Sequence, residues 1–86
     1  MMETLMRYIL VFGDTLKVSQ KYREDWLKKH PGDLVKITND NPHLLGTWDA
    51  QLHLVGNWWE NDRYEEVIQC AQKRHMTIYY VTQRGT

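Results

Sequence analysis

The sequence predicts an α/β domain: four mostly parallel strands and two main helices, in the order β-α-β-crossover-β-α-β. Three observations carry this reading. Short apolar segments alternate with longer segments of helical period, the pattern of strands joined by crossover helices. The first apolar segment, Tyr8-Ile-Leu-Val-Phe12, is apolar on both parities, as in a strand covered on both faces. Two of the strand segments close on a glycine, Gly13 and Gly56, each followed by polar residues and then a helix.

Each element follows in turn. Arg7–Gly13 reads as the first strand, with Asp14 or Thr15 capping a helix over Leu16–Lys29. Leu16, Ser19, Tyr22 and Trp26 lie along one face of that helix, with Leu27 and His30 beside them. Lys17, Lys21, Glu24 and Lys28 form the solvated face. Pro31-Gly32 ends the helix, Asp33–Thr38 is the second strand, and Asn39-Asp-Asn-Pro-His43 is a sharp polar turn. Leu44–Asp49 is either a short helical turn or an irregular crossover carrying Trp48, which is placed to cover a bare face of the sheet. Gln51–Gly56 is the third strand. A helix over Arg63–His75 follows, capped by Asn61 or Asp62, with Tyr64, Val67, Ile68, Ala71 and His75 on its inner face and Glu65 and Glu66 in its first turn. Met76–Thr82 is the last strand. The organisation is a flexible leader (1–6, with Met1, Met2 and Met6 as alternative starts), one domain (7–82) and a polar tail (83–86).

Composition narrows the function. Eleven Lys and Arg balance eleven Asp and Glu, so there is no basic stripe for nonspecific nucleic-acid binding. One cysteine, Cys70, excludes a disulfide framework, and no His or Cys pair has metal-ligand spacing on a helix. No apolar stretch spans a bilayer, and no apolar signal core opens the chain. The expectation is a soluble cytoplasmic protein with no membrane partner, no metal and no cofactor.

Ligands of open parallel sheets bind beyond the carboxyl ends of the strands. Here those ends collect the small, polar and aromatic residues: Gly13, Asp14 and Thr15; Thr38, Asn39, Asp40, Asn41 and His43; Gly56, Asn57, Trp58, Trp59, Glu60, Asn61 and Asp62; Thr82, Gln83 and Arg84. The amino ends are plainer. Two helices also begin at this rim, offering backbone N–H groups to an anion. Glycine-rich dinucleotide and P-loop signatures are absent. Asp14, Asp40, Glu60, Asp62, Glu65 and Glu66 are the carboxylates available for acid–base or nucleophilic work, Asp14 and a carboxylate of the second helix first among them, against capping roles for Asp14 and Asp62 and helix-dipole roles for Glu65 and Glu66.

The stretch Leu52-His-Leu-Val-Gly-Asn-Trp-Trp-Glu-Asn-Asp-Arg-Tyr-Glu-Glu-Val-Ile-Gln-Cys-Ala71, followed by Thr77-Ile-Tyr-Tyr80, resembles one unit of the nucleoside 2-deoxyribosyltransferase-like proteins, within a wider group of small Rossmann-like nucleotide-binding domains. Gly56, Trp58 or Trp59, Asp62, Glu66 and Ala71 fill the places of that pattern. The resemblance implies a nucleotide, nucleoside or similar phosphorylated ligand, with nucleoside hydrolase- or transferase-type activity. It makes Glu66 (or Glu65) the nucleophile and the tryptophan turn part of the nucleoside pocket. The alternative is a non-enzymatic interaction module. Two helices cannot cover both faces of four strands, and four tryptophans suit an interface, so a homodimer or protein partner is the competing expectation.

Overall fold

The computed structural model describes residues 6–40 and 50–84. Within them the chain forms β1 (Tyr8–Gly13), α1 (Leu16–Lys29), β2 (Leu34–Ile37), β3 (Ala50–Val55), a 3-10 turn (Trp58–Glu60), α2 (Tyr64–Lys73) and β4 (Thr77–Tyr80). The strands form one sheet in the order β2-β1-β3-β4, and all three pairings are parallel. The expected parallel α/β architecture is therefore what the chain adopts. The stretch expected to form the crossover, with His43 and Trp48, lies outside the described residues.

Alternation along β1 explains the sheet's two covers. Ile9 and Val11 point to one face, where Val35 and Val55 join them beneath Val18, Tyr22, Trp26 and Leu27 of α1. Leu10 and Phe12 point to the other, where Leu52, Leu54 and Trp58 pack against Val67 and Ala71 of α2. A strand buried on both sides has no polar parity to spare, which is why this segment reads as a continuous apolar run. From β1 the chain passes under α1 to β2; from β3 it passes under α2 to β4. The two crossovers depart in opposite directions, so the strand order reverses between β1 and β3.

Several local expectations shift. Leu16, placed on the inner face of α1, is exposed. The second helix ends at Lys73, so His75 leaves its inner face and lies exposed beyond it. The reason is a Schellman stop: Met76 N–H donates to Ala71 C=O (3.0 Å) and His75 N–H to Gln72 C=O (3.1 Å), with His75 in the left-handed region at φ 57°. Neither Asn61 nor Asp62 holds the cap position itself. Arg63 does, and the Asn61 side-chain oxygen accepts from the Arg63 N–H (3.0 Å). No described helix is long and apolar enough to cross a membrane.

The amino-terminal side of the sheet is locked by Asp33. Its carboxylate accepts from the Arg7 backbone N–H (3.1 Å), the Arg7 Nε (3.0 Å) and the Trp26 indole N–H (2.9 Å). Burial pushes the Asp33 carboxyl up, but the hydrogen bonds from Trp26 and Arg7 outweigh it and hold it below the usual carboxylate range.

Candidate functional site

The strand order reverses between β1 and β3, and the carboxyl ends of two such strands are the position where open α/β sheets bind ligands. Gly13 ends β1 there. Its peptide is held from two sides. The Asn39 side chain accepts from Gly13 N–H (3.1 Å) and donates to Gly13 C=O (3.0 Å), and the Asn61 carboxamide donates to the same carbonyl (2.9 Å). The Ser19 hydroxyl donates to the Asn39 side-chain oxygen (2.7 Å). Gly13 does not use a positive φ; Gly56 does, at 58°. What Gly13 needs is space: a Cβ there would stand 2.8 Å from the Ser19 Oγ and 3.1 Å from the Val55 Cγ2.

Asp14 lies next to this lock. The residue is half-buried, and its Oδ1 is buried with no hydrogen-bond partner. It rests over Gly56, where a Cβ would fall 2.6 Å from that oxygen and 2.7 Å from the Val18 Cγ1. Gly56 thus serves two needs at once, a left-handed turn after β3 and room for the carboxylate. A buried acceptor without a donor is uncommon and costs about 1–3 kcal/mol, so it calls for an explanation.

The remaining rim residues divide by what they already touch. Thr15 caps α1, its Oγ1 accepting from Val18 N–H (3.2 Å). Asn39 is 4% exposed, and its carboxamide is committed to Gly13 and Ser19. Trp58 is buried at 5% exposure, donates its indole N–H to Thr82 C=O (2.7 Å) and packs edge-on against Trp59, Tyr64 and Tyr80. Trp59 is only half-buried, so it is the tryptophan of the pair with ring surface left over. Asn57 and Asp62 are exposed. His43 lies outside the described residues.

The two glutamates stand in the first turn of α2, both exposed. Glu65 accepts from the Tyr64 hydroxyl (3.2 Å), and Glu66 pairs with Arg63 (3.7 Å). Each has the surface and dipole role that first-turn carboxylates ordinarily have. Among the described residues no group of three His, Cys, Asp or Glu comes together as a metal site.

Two side chains do more than their places in the sequence suggest. Asn61 reads as a helix cap, yet its amide nitrogen reaches 48 residues back to Gly13 and ties the tryptophan turn to the tip of β1. Only the fold reveals this. Ser19 reads as an inner-face helix position, which it is, and its hydroxyl orients Asn39.

A separate network fills the α1 face of β3. The Tyr22 hydroxyl lies 2.8 Å from the His53 Nδ1, and the His53 Nε2 lies 3.2 Å from the Gln51 Oε1. The Gln51 Oε1 can only accept, so a neutral His53 carries its proton on Nε2 and its Nδ1 accepts from the Tyr22 hydroxyl, which burial keeps protonated by raising its pKa. Trp26 and Tyr79 pack against the imidazole ring. Burial, reinforced by the Arg7 guanidinium, lowers the His53 pKa to about 4. His53 is a neutral, fully partnered side chain of the interior.

The chain matches no protein-family model, no curated protein and no solved structure.

Proposed function

We propose that this domain binds a nucleoside or nucleotide in the crevice between the carboxyl ends of β1 and β3. The observation that carries the reading is the buried, partnerless Oδ1 of Asp14, lying over Gly56 where the strand order reverses. A lone carboxylate in such a crevice accepts from neutral donors, and adjacent sugar hydroxyls supply two. Trp59 stands two residues before Asn61, which is bonded to Gly13, and offers a half-free ring for a base. The amino terminus of α1 opens at the same rim and favours a phosphate, while the Asp14 charge opposes one, so a nucleoside is the preferred form.

The proposal stops at binding. Transferase or hydrolase chemistry of the kind the sequence resemblance implies would fall to Glu66 or Glu65, and both are exposed and engaged with Arg63 and Tyr64.

Isothermal titration against a panel of nucleosides and their monophosphates tests the reading. The expected result is binding of at least one nucleoside, weakened about tenfold or more by Asp14→Ala, a loss of at least ~1.4 kcal/mol. Absence of heat across the panel, or undiminished affinity in Asp14→Ala, contradicts it.

A further inference from the structure

The two edges of the sheet are treated differently. In β2, Leu34 N–H donates to Arg7 C=O (2.8 Å) and Thr38 N–H to Val11 C=O (2.9 Å), so even-numbered residues face β1 and odd-numbered ones face outward. The outward carbonyl of Val35 is capped by the Arg23 guanidinium (2.9 Å), and Lys36 lies exposed on the same strand. A guarded edge of this kind discourages further pairing.

On β4 no described residue supplies the corresponding protection. Val81 N–H donates to Leu54 C=O (3.0 Å), and the register pairs His53 with Tyr79 and Leu54 with Tyr80. Tyr79 and Val81 therefore direct their backbone groups to β3, and Ile78 and Tyr80 direct theirs outward. No described group bonds to them. From Thr77 to Thr82 there is no charge, no proline and no glycine. Tyr79, Tyr80 and Val81 are 45%, 44% and 48% exposed, three consecutive large side chains at one edge.

We infer that the free edge of β4 pairs antiparallel with β4 of a second copy of this chain, about a twofold axis through Tyr79. The register follows from the outward groups. Centred on Tyr79, Ile78 of one copy faces Tyr80 of the other, and each such pair exchanges two N–H···O=C bonds, giving four in all. Tyr79 then meets its own symmetry mate in a non-hydrogen-bonded pair, where side chains come closest. Ile78 packs against Tyr80 of the partner on the α2 face. A strand with no charge is complementary to itself, and this arrangement is isologous and closed. The three exposed side chains offer on the order of 250 Å² per copy, against roughly 800 Å² per partner in a standard interface. The backbone and flanking residues must supply the rest, so the dimer is weak and depends on concentration.

Sedimentation velocity from about 10 μM to about 1 mM tests this, since a weak dimer has its midpoint in that range. The wild-type chain is expected to pass from monomer to dimer. Tyr79→Lys and Tyr79→Glu, each placing like charges on the axis, are each expected to weaken association at least about tenfold with an unchanged circular dichroism spectrum. Mixed in equal amounts, the two variants are expected to form a heterodimer. As a second probe, Tyr79→Cys in a Cys70→Ala background should form an intermolecular disulfide on mild oxidation, because a non-hydrogen-bonded antiparallel pair brings the two Cβ atoms within bonding reach. A wild-type chain that stays monomeric throughout overturns the inference. So do variants that dimerise as the wild type does, a mixture of folded variants that fails to associate, or a cysteine at 79 that does not cross-link.

Discussion

The Asn39 carboxamide pairs with the Gly13 peptide as a neighbouring strand residue would, accepting from its N–H and donating to its C=O. β2 has ended by this point, at Ile37, yet the ladder beside β1 continues for one more residue through a side chain. The effect is to hold the tip of β1 rigid where Asp14 leaves it.

Removing that side chain should be costly. Asn39→Ala leaves the buried Gly13 N–H without an acceptor and the buried Ser19 hydroxyl without its partner, for a loss of about 2–4 kcal/mol. Urea denaturation measures it. A loss below about 1 kcal/mol would mean that the Asn39–Gly13 pair does not hold the rim.

Asp14 should behave in the opposite way. Its Oδ1 is buried without a donor, so the free protein carries a desolvation cost that a ligand would relieve. Asp14→Asn keeps the shape and removes the charge. It is expected to leave stability unchanged or raise it by about 1 kcal/mol while weakening nucleoside binding. Thermal and urea unfolding of the two proteins without ligand provide the comparison.

Acid should destabilise the fold in two stages. His53 titrates near about 4 in the folded protein, against 6.5 ordinarily, because burial and the Arg7 charge disfavour imidazolium. Its folded pKa lies below the unfolded one, so its contribution is complete above pH 6.5 and is lost as the pH falls toward 4. The loss amounts to about 3 kcal/mol at most. Asp33, also lowered, contributes above its unfolded value of 3.8, and that contribution disappears at more acid pH still. Stability measured against pH should decline between 6.5 and 4 in the wild type. In His53→Gln that first decline should flatten while the second remains.

His75 occupies a left-handed position that glycine fills more easily. His75→Gly should stabilise the domain by about 0.5–1 kcal/mol, partly offset by the greater freedom of an unfolded glycine. The midpoint of urea unfolding reports it. A clear destabilisation would show that the exposed imidazole makes a contact the fold depends on.

Much of this architecture is legible in the chain because burial on both faces leaves a plain signature. β1 is recognisable from its unbroken apolar run and α2 from Val67 and Ala71 at helical spacing. The stop of α2 is harder to read. A glycine there would have announced it, but His75 adopts the same conformation and looks like one more residue of the helical period. Trp58 is likewise opaque. Nothing local distinguishes it from Trp59, and only the carbonyl of Thr82, brought near by the β3–β4 pairing, draws its indole inward. Asn39 and Asn61 read as turn and cap residues because their partner, Gly13, is far away in sequence. At the rim, sequence gathers the polar residues of the strand ends but does not say which of them keep an unpartnered atom. Asp14 does, and Asn39, Thr15 and Trp58 are used by the fold itself.

The proposed nucleoside binding rests on the Asp14 carboxylate over Gly56 at the reversal between β1 and β3. Amide chemical-shift mapping on addition of a nucleoside tests it most directly. Perturbations are expected to group at Gly13–Leu16 and Gly56–Trp59, with the Trp59 indole N–H among them. Absence of perturbation with every nucleoside tried, or shifts confined to the basic groove of Lys17, Lys21 and Lys36 between α1 and β2, would contradict it.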